Sequence, residues 1–258
     1  TSLRLQAEQF DLLLSLDKDF EVCALAGLVK AHAKRGFGLN AFGKIVPLDS
    51  RAERKWLTGV WDDLMLANRR HYPAEIFEIC GFDWEGETYI LEDVPVAPRT
   101  GKAVIGLNTG SSNVWTTRLW PAESWRALVE LVQGDGHEVR LLGGPLEDEK
   151  NRELAVATGA HYDGVVPFRQ FFRAVGETDV LVTAVTMAMH VAIALERPVV
   201  LFNNIFNRHE FHLYGRGEIL EPGLPCQGCY KARFDERCPV ANCMTLITPE
   251  QVNAAIAR

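Results

Sequence analysis

Between Val182 and Phe202 the chain reads VTAVTMAMHVAIALERPVVLF. The pattern is that of a strand, a tight turn, a short helix and a second strand. One polar pair, Thr186 and His190, falls at the helix opening; the other side chains of that helix are apolar, so the helix is expected to be buried. Helix openings present unpaired N–H groups and partial positive charge, the chemistry that binds a phosphate. A histidine in the first turn adds one donor for the same anion. The alternative is structural: Thr186 caps the helix and His190 is a satisfied core histidine.

Two further strand ends carry loop chemistry. NTGSSNVWTTRLWP follows KAVIGLN, and there Thr109, Gly110, Ser111 and Ser112 offer backbone N–H groups and hydroxyls without bulk, with Arg118 in reach of the same region. Small donors plus one guanidinium suit a diphosphate; the alternative is a solvated loop with Arg118 on the surface. GGPLEDEK follows HEVRLL. Gly143 and Gly144 let the backbone approach a ligand closely, and Glu147 can accept from two ribose hydroxyls. Asp148 and Glu149 are explained by the helix dipole alone. The glycine pair does not fit the GxGxxG dinucleotide pattern. The loop after PVVLF adds Asn203, Asn204, Arg208 and His209, which read mostly as loop polarity.

Near the start, Asp17 closes the apolar run FDLLLSLD, read as a buried strand. A carboxylate at a strand's carboxyl end is a candidate general base. Asp19, Asp62 and Asp63 are alternatives, and Asp17 can equally cap the helix that follows. Of the six cysteines, Cys23 and Cys80 stand alone in apolar surroundings and read as inert core thiols. The rest are spaced Cys226-x2-Cys229-x8-Cys238-x4-Cys243. Four thiolates with one CxxC resemble a structural zinc site. Reduced packing thiols and two disulfides are the other readings; without an export signal, crowded cysteines favour metal.

The elements that must position these groups fall into two halves, parted at EDVPVAPRTGK, Glu92 to Lys102. This gives a partial N-terminal domain over 1–95 and a second domain over 102–258. The first half has a helix over Glu21 to Lys34 with Gly36 beyond it, and a capping box at Ser50 to Glu53. A helix after Tyr72-Pro73 carries Ile76, Phe77 and Ile79. In the second half, KAVIGLN, HEVRLLGG, VLVT and PVVLF alternate with helices. These helices begin at Pro121 (ending at Gly134), span Asp148 to Thr158, and lie in PFRQFFRAVGETD; a last one opens at Thr248-Pro249-Glu250-Gln251. Such alternation predicts a parallel, doubly wound α/β sheet.

Composition sets outer limits. The 258 residues are 47% hydrophobic, enough for two modest domains or one large one. A net charge of -7 with both signs interspersed argues against nucleic acid as a partner. No apolar run reaches the roughly 18 residues of a membrane span. The start lacks the basic and apolar regions of a signal peptide, so a cytoplasmic chain is expected.

The three loops, in this order, resemble the nucleotide-sugar domain of glycosyltransferase family 9, the heptosyltransferase family. The resemblance is carried by RLWPAESW, VRLLGGPLEDE and VTAVTMAMHVAIALERPVVLF, then by CQGCYKARFDERCPVANCM with ITPEQV, and more weakly by FDLLLSLD. It implies two Rossmann-like domains facing a cleft (GT-B type). The N-terminal domain would be incomplete, because family members begin with a further βα region that holds their catalytic Asp. It implies inverting transfer of a sugar, heptose or related, from a nucleotide-diphosphate donor to a cell-envelope glycan or lipid-linked acceptor. ADP-heptose and lipopolysaccharide core are the best-known pair, and the chemistry needs no metal. By the same resemblance Arg118 stands at the phosphate-binding Lys, Glu147 at the nucleoside-binding acid, and Thr186 and His190 on the Thr and His of a DTGxxH motif. Val185 replaces that motif's Asp, and Met187 replaces its Gly, which narrows the site and leaves the donor sugar open. A non-catalytic nucleotide-sugar-binding relative and a sugar-nucleotide 2-epimerase-like enzyme are the competing readings. Peripheral contact with the inner face of a membrane, through the acceptor, is open; no basic amphipathic helix makes it.

Overall fold

The chain divides into two compact units, one of residues 1–87 with 209–212, the other of 88–208 with 213–258. The computed structural model describes residues 2–92, 94, 101–111 and 113–258. Most of the expected linker, 93 and 95–100, therefore lies outside the described residues, as does Ser112.

The first unit runs α1 (Ser2–Ala7), β1 (Gln9–Ser15), α2 (Phe20–Leu28), β2 (Lys30–Leu39), β3 (Ile45–Pro47), α3 (Ser50–Thr58), α4 (Asp62–Ala67) and α5 (Tyr72–Cys80). Its sheet has the order β1-β2-β3, with β2 parallel to β1 and antiparallel to β3. Three expectations are corrected here. β1 is not a buried strand: it pairs on one side only, stops two residues before Asp17, and of its residues only Ser15 is buried. The helix expected over 21–34 ends at Leu28, and residues 30–39 form β2 instead. Gly36 therefore does not end a helix. It lies inside β2 at φ 98°, where a Cβ would stand 1.9 Å from Ser15 O, so only glycine permits the pairing. Finally, α3 is capped by Asp49, not Ser50; the Asp49 carboxylate accepts from Arg51 N at 2.9 Å and Ala52 N at 3.3 Å. The small core gathers Cys23, Phe37, Ala52 and Ile79. Burial raises the pKa of both Cys23 and Cys80, as for inert thiols.

The second unit runs β4 (Val104–Asn108), α6 (Ala122–Gly134), β5 (Glu138–Leu142), α7 (Asp148–Thr158), α8 (Phe168–Gly176), β6 (Val180–Ala184), α9 (Met187–Ala194), β7 (Val199–Phe202), β8 (Gly217–Leu220) and α10 (Pro249–Ile256). The strands form one parallel sheet in the order β5-β4-β6-β7-β8. The chain winds outward from β4 to β5, then returns to β4's other side as β6. The switch point thus lies at the carboxyl ends of β4 and β6, where open α/β sheets bind ligands. Every residue of β4 and β7 is buried, as strands covered on both faces require.

Aromatic packing anchors the loop after β4. Trp120 meets Trp125 edge-on at 4.9 Å and Phe202 at 5.0 Å, and its indole N–H donates to Ile247 O at 2.9 Å. Burying such a ring stabilises by about 2–3 kcal/mol, so the chain two residues after Arg118 is fixed. At the far end α10 carries the full capping box of Thr248 and Gln251, with Pro249 in its first turn.

Candidate functional site

The carboxyl ends of β4, β5 and β6 open on a cleft of about 450 Å³. Its polar side is Asn108, Gly110, Ser111, Gly143, Gly144, Glu147 and Thr186; Leu146, Val165, Pro167, Phe168, Phe171 and Met187 form an apolar wall. Residues from three loops far apart in sequence therefore meet at the switch point.

Glu147 joins two of these loops. Its Oε2 accepts from Gly144 N at 2.9 Å, and a Cβ on Gly110 would fall 2.2 Å from its Cδ. Absence of a side chain at 110 is what lets the carboxylate lie against the β4 loop. Three residues on, Lys150 Nζ donates to Thr109 O at 2.8 Å; burial lowers its pKa, partly offset by Glu147. Lys150 was not singled out from sequence, although a cation in the first turn of α7 opposes the helix dipole and is a readable oddity.

Thr109 itself is turned away from the cleft: its hydroxyl donates to Asn151 Oδ1 at 2.5 Å and its backbone N–H to Leu142 O at 3.2 Å, so it keeps no donor for a ligand. Ser111 differs, because its Oγ is buried with no hydrogen-bond partner. Asn108, also missed from sequence, ties the β4 and β6 ends together. Its Nδ2 donates to Thr183 Oγ1 at 3.0 Å and Thr186 Oγ1 at 3.3 Å. Thr186 occupies the N-cap position of α9 but its hydroxyl makes no capping hydrogen bond; in that turn Met189 N donates to Thr186 O at 3.1 Å, and no side chain caps the opening.

Arg118 is 8% exposed. Its guanidinium donates to Val185 O and lies 5.4 Å from the Phe206 ring, while its Nε has no partner. Among the described residues no carboxylate pairs with it, and desolvation lowers its pKa. Thr117 N and Oγ1 bond Ala232 O and Lys231 O at 3.4 and 2.6 Å, and Asn204 Nδ2 reaches Thr117 O at 2.7 Å. The 3-10 turn Thr116–Arg118 is thereby clasped by the cysteine-bearing segment.

α9 is less buried than its apolar sequence predicts. Ala188, Met189, Val191, Ala192 and Ile193 face inward, while Met187 and His190, three apart, share an exposed strip. His190 is therefore not a core histidine. Neighbouring protein still desolvates the ring and lowers its pKa, which favours the neutral imidazole.

At the end of β1, Asp17 Oδ1 accepts from Asp19 N at 3.0 Å, and Asp19, not Asp17, caps α2. Asp62 and Asp63 lie in the first turn of α4. Buried Glu75 binds Lys55 Nζ at 2.7 Å and Asn68 Nδ2 at 2.9 Å.

Cys226, Cys229, Cys238 and Cys243 line one narrow cavity of about 30 Å³. All six cysteines are free thiols. Among the described residues no group of three His, Cys, Asp or Glu is disposed to hold a metal ion, so the expected zinc site does not stand preformed. Two of the thiols take part in local hydrogen bonds: Cys243 Sγ accepts from Asn204 Nδ2 at 3.2 Å and Cys238 Sγ from Asp235 N at 3.5 Å. No helix among the described residues is long and apolar enough to cross a membrane.

The profile of glycosyltransferase family 9 (heptosyltransferase) matches residues 2–211. No curated protein sequence matches. Among solved structures, the glycosyl transferase family 9 protein from Veillonella parvula DSM 2008 is similar, with TM-score 0.67 and 17% identity over 99% of this chain and 75% of that one. E. coli heptosyltransferase WaaC with ADP gives TM-score 0.62 and 16% identity, over 99% of this chain and 75% of that one. Iron-containing, dodecameric heptosyltransferase TibC, in complex with ADP-D-beta-D-heptose, gives TM-score 0.57 and 15% identity, over 72% of this chain and 52% of that one. At these identities the likeness is one of fold.

Proposed function

This chain belongs to glycosyltransferase family 9, and from that premise we propose that its cleft holds a nucleotide-diphosphate sugar for inverting transfer. The sugar is heptose or related, and the acceptor a cell-envelope glycan or lipid-linked saccharide. One observation carries the reading: among the described residues Arg118 is a buried guanidinium without a carboxylate, its Nε unpartnered, beside the loop that opens α9. Buried charges are paired in stable proteins, so this one calls for an anionic ligand. The unpartnered Ser111 Oγ and the uncapped opening of α9 supply further donors.

In this reading the diphosphate is met by Arg118, Ser111, the backbone of Gly110 and Ser111, Thr186 and His190. Glu147 accepts from the ribose, with Gly143 and Gly144 giving close approach, and the base rests on the apolar wall from Leu146 to Phe168. Met187 narrows the sugar end. WaaC and TibC, described with ADP and ADP-heptose, support an ADP-linked donor. As the anomeric carbon is attacked, charge grows on the departing diphosphate, and preorganised donors stabilise it. A base takes the acceptor proton. Asp17 is the candidate within this chain, with one carboxylate oxygen engaged by Asp19 N. Titration calorimetry with ADP, GDP, UDP and the matching nucleosides tests the pocket. Arg118→Ala and His190→Ala should weaken diphosphate binding about 10- to 100-fold and leave the nucleosides nearly unchanged; equal losses on both would refute it.

We further propose that the four clustered thiols close on one structural thiophilic ion. They share a cavity, and a relative of the same fold is described as iron-containing. Protein purified without chelator should carry about one zinc or iron per chain; no stoichiometric metal overturns the proposal.

A further inference from the structure

His190 follows Thr186, Met187 and Ala188 of the cleft lining on α9 without itself lining the cleft, and it has a near neighbour. Tyr89 Oη lies 3.1 Å from His190 Nδ1, and the two rings are nearly parallel, 16° apart with centroids at 5.7 Å. Tyr214 meets the Tyr89 ring edge-on at 6.3 Å and 81°. Tyr214 itself sits at φ 54°, a left-handed backbone that a bulky side chain rarely adopts. The phenol is thus held from both sides, one of them by a residue in an unusual conformation.

A neutral imidazole has one N–H donor and one lone-pair acceptor, and the bond made by one nitrogen decides the state of the other. Only an N–H serves an anionic oxygen. An imidazole nitrogen is a much stronger acceptor than a phenol oxygen, and a phenol O–H is a good donor. The contact between Tyr89 and His190 therefore runs from oxygen to nitrogen. We propose that Tyr89 is a positioning residue that fixes the tautomer of His190: its hydroxyl donates to Nδ1, and Nε2 is left carrying the proton as the donor to a diphosphate oxygen. The proposal rests on the reading of His190 as a diphosphate ligand. Two features make the tautomer matter. His190 lies in the opening turn of α9, where the helix dipole disfavours a cation, and desolvation acts in the same direction. A cationic ring would donate from both nitrogens and need no such control.

The test pairs a spectroscopic readout with a binding one. Nitrogen-15 NMR of the histidine side chains, assigned through His190→Ala, should show Nδ1 of His190 unprotonated and Nε2 protonated at pH 7.5. In Tyr89→Phe the same ring should show both tautomers. ADP affinity should fall about fivefold in Tyr89→Phe while adenosine affinity and melting temperature stay near wild type. A protonated Nδ1 in the wild-type chain overturns the proposal whatever the ligand does. A mixed tautomer in Tyr89→Phe with unchanged ADP affinity overturns the link to diphosphate. If His190→Ala also leaves ADP binding intact, the fault lies with the site reading and not with Tyr89.

Discussion

Replacing Arg118 by methionine should make the free protein more stable and the liganded protein less so. The guanidinium is 8% exposed, and its described compensation is one bond to Val185 O and the face of Phe206 at 5.4 Å. Exchanging buried ionic groups for apolar ones of similar volume is neutral or stabilising by about 1–4 kcal/mol. Against this stand the lost hydrogen bond and cation–π contact, each about 1 kcal/mol, the second partly restored by sulfur against Phe206. The net expectation is a gain of about 1 kcal/mol, or about 2–4 °C in melting temperature. With diphosphate at about 100 times its dissociation constant, the wild type gains about 2.7 kcal/mol. Loss of charge-assisted bonds worth about 2 kcal/mol weakens the variant's binding about 30-fold and cuts that gain to about 0.9 kcal/mol. The order of the two melting temperatures should therefore invert on adding ligand. Differential scanning calorimetry, with and without the tightest-binding of ADP, GDP and UDP, reads both terms. A variant that melts below wild type without ligand, or that responds equally to it, would refute the claim that Arg118 is a strained charge awaiting an anion.

Gly110→Ala places a methyl 2.2 Å from Glu147 Cδ and must displace that carboxylate; donor affinity by calorimetry should fall at least about tenfold, and wild-type affinity would remove Glu147 from the site. Asp17→Asn should abolish transfer to acceptor while leaving nucleotide binding unchanged, since its carboxylate belongs to the strand end of the first unit; full turnover would discard it as the base. His71, His190 and His212 all have pKa values lowered from 6.5, each first by burial. The unfolded chain therefore takes up protons on these rings at higher pH than the folded one. Stability should be complete above pH 6.5 and decline below it, through the folded-state values. Melting curves from pH 8 to 5 that stay flat would contradict the desolvation of these rings.

How far the sequence reaches depends on whether a residue's role is local. Strands β4 to β7 and the helices between them follow from apolar runs broken by caps and glycines, and the capping box at Thr248 is present as read. Local chemistry failed where a partner strand decides. Residues 30–34 have helical neighbours in sequence, yet pairing with β1 draws them into β2. Burial of β1 and α9 was overestimated for a related reason: an apolar run does not say how many of its faces find a cover. Of the candidate residues, the loop glycines, Arg118 and Glu147 stand out in sequence because glycine and isolated charge are conspicuous at strand ends. Asn108, Lys150 and Tyr89 do not, since each acts through a residue 75, 41 or 101 positions away.

By itself, then, the sequence determined that this chain alternates strands and helices into a parallel sheet and carries anion-binding residue types after three of its strands. Helix periodicity, caps and glycine are short-range properties, and short-range properties are written in order. Only the tertiary structure decided that the sheet order reverses at β4, which brings those three loops around one cleft. It also decided that Arg118 is buried with no carboxylate beside it among the described residues, that Thr109 turns its hydroxyl away, and that Tyr89 stacks on His190. Those facts depend on which side chains meet across the fold, and the free energy of a buried charge or a shared proton is fixed by its neighbours in space.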